Sequence, residues 1–130
     1  MANVIAISPA KMAANASQAA ALMKALSNEH RLLILCHLIA AEEMSVGELV
    51  ERIALSQSAL SQHLAKLREE GLVSFRRHAQ TLFYSVSDNR AADVLLLLHE
   101  MFCAEPHGTK VRKSPMVPSP SRPDKDPRGD

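Results

Sequence analysis

Two thiols and one polar stripe are the groups in this chain whose chemistry goes beyond packing. The thiols are Cys36 and Cys103, the only cysteines. A thiolate is a nucleophile and a soft-metal ligand, and an oxidant can join two of them. Neither sits in a Cys-x-x-Cys pair, so zinc-finger and thioredoxin-type readings have no local support. Taken singly, each reads as a small buried hydrophobe, the usual fate of a free cysteine. The stripe lies between Ser56 and Glu70. At about 100° per residue, Leu60, Leu64 and Leu67 fall on one side of a helix. Ser58, Ser61, Gln62, Ala65 and Glu69 fall on the other, with Lys66 at the flank. Short side chains permit close approach to a major groove, and amides and hydroxyls pair with base edges. Gln62 is suited to a bidentate contact with adenine, and Ser58 and Ser61 to bases or phosphates. Gln57 stands at the positive end of the helix, where phosphates are favoured. A solvated face is the plainer alternative for such a stripe, so its surroundings decide.

The elements that must position these groups are marked by punctuation. A helix is expected from about Ala14 to Leu26, behind a flexible arm over residues 1–13. A second carries Leu32, Leu35, Cys36 and Ile39 on one stripe. Ser45 and Glu48 form a capping-box pattern that opens a third helix, with Val46, Leu49, Val50 and Ile53 toward the core. Ser56 caps the fourth, and Gly71 ends it. Two short helices joined by so tight a turn make a helix-turn-helix. The period then changes to two over Leu72–His78 and Thr81–Val86, a β-hairpin around Ala79-Gln80, although Ala-Gln is a weak turn signal. Ser87-Asp88-Asn89 caps a last helix through Val94, Leu95, Leu98, Met101 and Phe102 to about Ala104. The expected order is α-α-α-α-β-β-α, a mainly α winged helix-turn-helix. Its hairpin carries Arg76, Arg77 and His78 toward the tip, where a wing meets phosphates or the minor groove, and it contains no acidic residue. The DNA-facing set is therefore Ser45, Gln57, Ser58, Ser61, Gln62, His63, Lys66, Arg76, Arg77 and His78, and double-stranded DNA is the stronger reading of the stripe.

Composition agrees without deciding. The chain has 130 residues, 47% apolar but only 3% aromatic and without Trp, so its core is aliphatic. The net charge of +1 advertises no polyanion, and the basic bias is local: Lys66, Arg68, Arg76 and Arg77 against Glu69 and Glu70. No apolar run is long enough to span a bilayer, and no signal-peptide pattern opens the chain, so a cytoplasmic protein with reduced thiols is expected. Six of the seven prolines fall in residues 105–130, which read as a disordered tail whose Lys110, Arg112 and Lys113 are placed to brush phosphates. Residues 14–104 are left as the DNA-binding and dimerisation domain.

Three segments resemble the ArsR/SmtB family of bacterial repressors: Leu22–Leu35 (LMKALSNEHRLLIL), Ser58–Val73 (SALSQHLAKLREEGLV) and Phe83–Val86 (FYSV). The resemblance spans roughly Ala20 to Cys103. It implies a homodimer, joined through the first and last helices, that represses an operon until an inducer binds. The four consecutive leucines Leu95–Leu98 agree independently, since together they cover every side of a helix.

The resemblance also allows the family's sensing sites to be tested residue by residue. Where one metal site of the family has Cys-x-Cys, this chain has Ser45 and Gly47. Where another has Asp, His, His and Glu, it has Asp88, Arg90, Met101 and Ala104. Neither is a complete ligand set for a metal ion, and no cofactor is expected. The surroundings of Cys36 and Cys103 resemble those of the BigR- and SqrR-like branch, which implies sensing of reactive sulfur species through a disulfide or polysulfide bridge. His37 and His99 stand close enough in sequence to influence the thiols. Three alternatives stay open at this point: a soft-metal or arsenite sensor using Cys36, Cys103 and His99, a thiol-dependent persulfide or peroxide reductase, and a protein-interaction module that does not bind DNA.

Overall fold

Every helix in the computed structural model, which describes residues 6–103, begins on a side chain that accepts hydrogen bonds from its first turn. Ser8 caps α1 (Pro9–Leu26), Asn28 caps α2 (Glu29–Ala41), Ser45 caps α3 (Val46–Arg52) and Ser56 caps α4 (Gln57–Glu69). Asp88 Oδ1 accepts from the Arg90 and Ala91 amides at the start of α5 (Asn89–Cys103). Such caps satisfy amides that have no partner within the helix. The capping box of α3 is complete: Ser45 Oγ accepts from the Glu48 amide at 3.2 Å, and Glu48 Oε1 from the Ser45 amide at 2.9 Å.

The first helix starts earlier than expected. Its cap is Ser8, and Pro9 follows at the first helical position, where its fixed φ suits the helix and its missing N–H costs nothing. Residues 9–13 of the expected flexible arm are therefore helical. Residues 1–5 and the proline-rich tail beyond Cys103 lie outside the described residues.

The strand pattern holds one element more than expected. Met44–Ser45 forms a short β1, which pairs antiparallel with β3 (Thr81–Val86), and β3 pairs in turn with β2 (Val73–His78). Two residues carry no readable period, so β1 is invisible until β3 is beside it. The row Phe75–Tyr84–Met44 faces the core, with Phe75 and Tyr84 ring centroids 5.4 Å apart. The next row, Arg76–Phe83–Ser45, takes the opposite face. Ala79 compensates for the weak Ala-Gln signal by adopting φ 57° at the first loop position, the sign required by a type II′ turn.

The largest fully buried side chains are Ile34, Leu35, Leu38, Leu49, Leu60, Leu64 and Leu67. The expected stripes of α3 and α4 match this core. That of α2 is rotated: Ile34, Leu35 and Leu38 point inward, Leu32 and Ile39 are half-buried, and Cys36 is exposed. Because α2 is apolar almost all round, periodicity cannot select its buried face. The chain divides inside α5, after Leu97. In the first unit Ala91 and Leu95 are buried while Leu96 and Leu97 are exposed; in the second, Leu98 is half-buried and His99–Cys103 are exposed. No described helix is long and apolar enough to cross a membrane.

Two helix ends make opposite predictions. Gly71 closes α4 in a Schellman motif, with the Leu72 amide on Leu67 O at 2.9 Å and the Gly71 amide on Arg68 O at 3.0 Å, and with Gly71 at φ 80°. Glu42 closes α2 at φ 73°, ψ −41°, a conformation that penalises any Cβ. Gly71→Ala is expected to destabilise by roughly 1 kcal/mol, and Glu42→Gly to stabilise by several tenths to about 1 kcal/mol. Urea unfolding midpoints check both, and a shift of the same sign in the two variants contradicts the assignment.

Candidate DNA-reading face and the cysteine positions

α4 is held by its apolar side and by both ends. Leu60, Leu64 and Leu67 are completely buried. At the N-terminus Ser56 Oγ accepts from the Ala59 amide at 3.1 Å. Toward the C-terminus the Arg31 guanidinium of α2 lies 3.9 Å from the Glu70 carboxylate, while its Nη1 donates to Ala25 O at 3.2 Å. The Arg68 guanidinium sits 4.6 Å from the centroid of the Phe75 ring, joining α4 to β2 through a cation–π contact.

With one side so fixed, Gln57, Ser58, Ser61, Gln62, Ala65 and Lys66 are all exposed. This surface is polar and small, and it bears no acid before Glu69. It follows α3 after the short connection 53–56, so two capped helices and a tight turn present it. A face of this kind can enter a groove and donate or accept hydrogen bonds there.

The remaining DNA-facing candidates stand differently. His63 is half-buried on the flank of α4, its ring centroid 5.9 Å from that of His30. Burial, then the charges of Arg31 and His30, push its pKa below the ordinary histidine value. Ser45 is half-buried, and its hydroxyl already serves the α3 cap. Arg76 is bound through two nitrogens to the Glu43 carboxylate, with contacts of 2.6, 3.0 and 3.2 Å. Arg77 and His78 are exposed where β2 meets the turn. Sequence reasoning passed over Arg31, Glu70, His30 and Glu43. A partnership such as Glu43 with Arg76 spans 33 residues, and no local pattern announces it.

Both cysteines are exposed free thiols, Cys36 on α2 and Cys103 at the end of α5. Their expected reading as buried hydrophobes is thus corrected: Cys36 lies off the face that Ile34, Leu35 and Leu38 insert into the core. Among the described residues no group of three or more His, Cys, Asp and Glu side chains is arranged to hold a metal ion.

Residues 28–74 match the sequence profile of the arsR family of bacterial regulatory proteins. Over 93 residues the chain is 52% identical to the transcriptional activator HlyU of Vibrio cholerae, covering 72% of this chain and 85% of that protein. It is 40% identical over 94 residues to the biofilm growth-associated repressor of Xylella fastidiosa, covering 72% of this chain and 82% of that one. Among solved structures, the transcriptional repressor BigR from Xylella fastidiosa superposes with a TM-score of 0.71 at 38% identity, over 76% of this chain and all of that one. Each of these matches includes most of the relative's length.

The lowered pKa of His63 has a measurable consequence. Between the folded value and the ordinary value of 6.5 the unfolded chain binds more protons, so stability rises with pH in that window and declines as pH falls through it. The urea midpoint is expected to be lower near pH 5.5 than near pH 7.5, and His63→Gln to flatten that part of the profile. An NMR titration placing His63 above the ordinary value reverses the sign.

Proposed function

The chain belongs to the arsR family of bacterial regulatory proteins, and on that premise we propose that it represses transcription by binding operator DNA as a homodimer until Cys36 and Cys103 are bridged. It is a winged helix-turn-helix transcriptional regulator, not an enzyme. The observation that carries the DNA-reading assignment is the exposed stripe Gln57, Ser58, Ser61, Gln62 and Lys66 on a helix whose other side is locked by three leucines. Gln62 reads a base edge, Ser58 and Ser61 bond bases or phosphates, and Lys66 neutralises phosphate. Arg77 and His78 meet the backbone or the minor groove from the wing.

Dimerisation is supported by apolar surface that water does not favour. Met12 and Met23 on α1 are exposed, as are Leu96, Leu97, Met101 and Phe102 on α5, the last to 78%. Covering side chains of this size is the ordinary driving force for an obligate interface. Two copies of α4 would then enter successive major grooves, about 34 Å apart.

The input is assigned to the thiols because both are exposed, although free cysteine is among the most buried residue types. In the proposed chemistry one thiolate attacks the sulfane sulfur of a persulfide donor and releases the donor's thiol. The second thiolate then attacks the cysteine-bound sulfur and expels hydrosulfide, leaving a disulfide. The persulfide supplies the two-electron oxidation and is reduced to sulfide. With a second donor both cysteines are persulfidated, and attack of one persulfide on the cysteine sulfur of the other expels hydrosulfide and leaves a longer, trisulfide bridge of the same effect. Either link would restrain α2 and α5 and shift the spacing of the reading helices, to which DNA is intolerant.

Operator binding by the reduced protein is expected to fall steeply with salt and to weaken about tenfold or more in Gln62→Ala. Polysulfide should release the wild type and give a bridged mass, while Cys36→Ser and Cys103→Ser stay bound. Release of both serine variants by polysulfide would falsify the switch. Stoichiometric soft metal on intact thiolates would replace it with a metal sensor, and catalytic turnover of polysulfide would indicate a reductase.

A further inference from the structure

We infer that Glu43 and Arg76 form a clamp that orients the wing, so that Arg76 acts as a positioning residue and leaves DNA contact to Arg77 and His78. The inference rests on the reading that the wing meets DNA. Its geometry comes from the register of the sheet. Arg76 pairs with Phe83, and Phe83 with Ser45, so these residues form one row on the face away from the core. Glu43 immediately precedes β1 and reaches the same face. Its carboxylate takes Arg76 Nη2 at 2.6 Å and Nε at 3.0 and 3.2 Å, the two-nitrogen geometry of a strong arginine–carboxylate pair. The Phe83 ring of β3 lies under the same guanidinium, 4.8 Å from its centroid to the guanidinium carbon. Carboxylate, guanidinium and ring thus link the residue before β1 to β2, the two edge strands, across the central β3.

A hairpin is marginal alone, and β1 lends it only two residues of pairing. The clamp adds a second attachment, and Glu43 follows the Glu42 that closes α2, so the wing is tied to the end of the helix that carries Cys36. The Arg76 hydrogen bonds hold the Glu43 carboxyl below its ordinary value. Arg77 points to the opposite face of the strand by simple alternation, and none of the ion pairs among the described residues involves Arg77 or His78. Both clamp partners remain solvent-exposed to a substantial degree, so the pair adds little to global stability. Its effect is on orientation: a wing that samples more directions loses more freedom on binding.

The test uses the full chain with Glu43→Gln, Arg76→Gln, the double variant and Arg77→Gln. Binding to a duplex of about 30 base pairs from its own upstream region is followed by fluorescence anisotropy over a salt series. Glu43→Gln and Arg76→Gln are each expected to weaken binding by about three- to tenfold, and the double variant no further. Arg76→Gln should leave the salt slope unchanged, while Arg77→Gln should lower it by about 0.9, one phosphate contact. Amide hydrogen exchange in β2 and β3 of the free protein should quicken in both clamp variants while the urea midpoint stays near that of the wild type. The clamp is overturned if Arg76→Gln lowers the salt slope and Glu43→Gln tightens binding, because Arg76 is then a phosphate ligand that Glu43 restrains. It is also overturned if hairpin exchange is unchanged. The exchange result stands without DNA, so absence of salt-dependent binding by wild type would sink the repressor reading and still leave the clamp decided.

Discussion

The burial of Leu60, Leu64 and Leu67 is the constraint on which the rest of this structure depends. These side chains recur at helical spacing, so their complete removal from water fixes the rotation of α4 about its own axis. Truncating one such buried leucine typically costs about 2–5 kcal/mol, far more than any single polar contact on the opposite side. Whatever α4 offers to a partner is consequently set by what it hides. Gln57, Ser58, Ser61, Gln62 and Lys66 are outward because the leucines are inward, and Arg31, Ser56 and the Schellman turn at Gly71 hold the helix at its two ends.

Electrostatics refine this frame without building it. The named ion pairs are partly or largely open to solvent, where a single pair contributes little to stability. Their value lies in direction. Arg31 reaches from α2 toward the end of α4, Arg68 lies over Phe75, and Arg76 joins Glu43 across β3. The first and last of these connect elements remote in sequence. The same arrangement divides the basic residues into those already partnered within the fold and those left facing outward, such as Lys66 and Arg77. A net charge of +1 conceals that division entirely.

The thiols show how the packing of α2 bears on chemistry. That helix is apolar on nearly every side, and the core accepts Ile34, Leu35 and Leu38. Cys36 is thereby turned outward, where an electrophile can reach it; a rotation to the expected stripe would have sealed it in the core. Among the described residues, α1 and α5 also keep large apolar side chains exposed.

Much of this protein was legible as a string of residues. Caps at Ser45, Ser56 and Asp88, the stop at Gly71, the leucine period of α4 and the alternation around Ala79-Gln80 specify the winged helix-turn-helix, because caps, turns and periods act over a few neighbouring residues. The polar stripe of α4 was legible for the same reason. The two-residue β1, the inward face of α2, the His30–His63 pairing and the engagement of Arg76 by Glu43 were not. Each depends on a partner brought from elsewhere in the chain, or on a choice among faces that are equally apolar. Local sequence therefore determined which elements form and which side of α4 is polar. Tertiary packing decided that Cys36 faces water and that Arg76 is already bound, since only the assembled fold sets the distances and burial on which those depend.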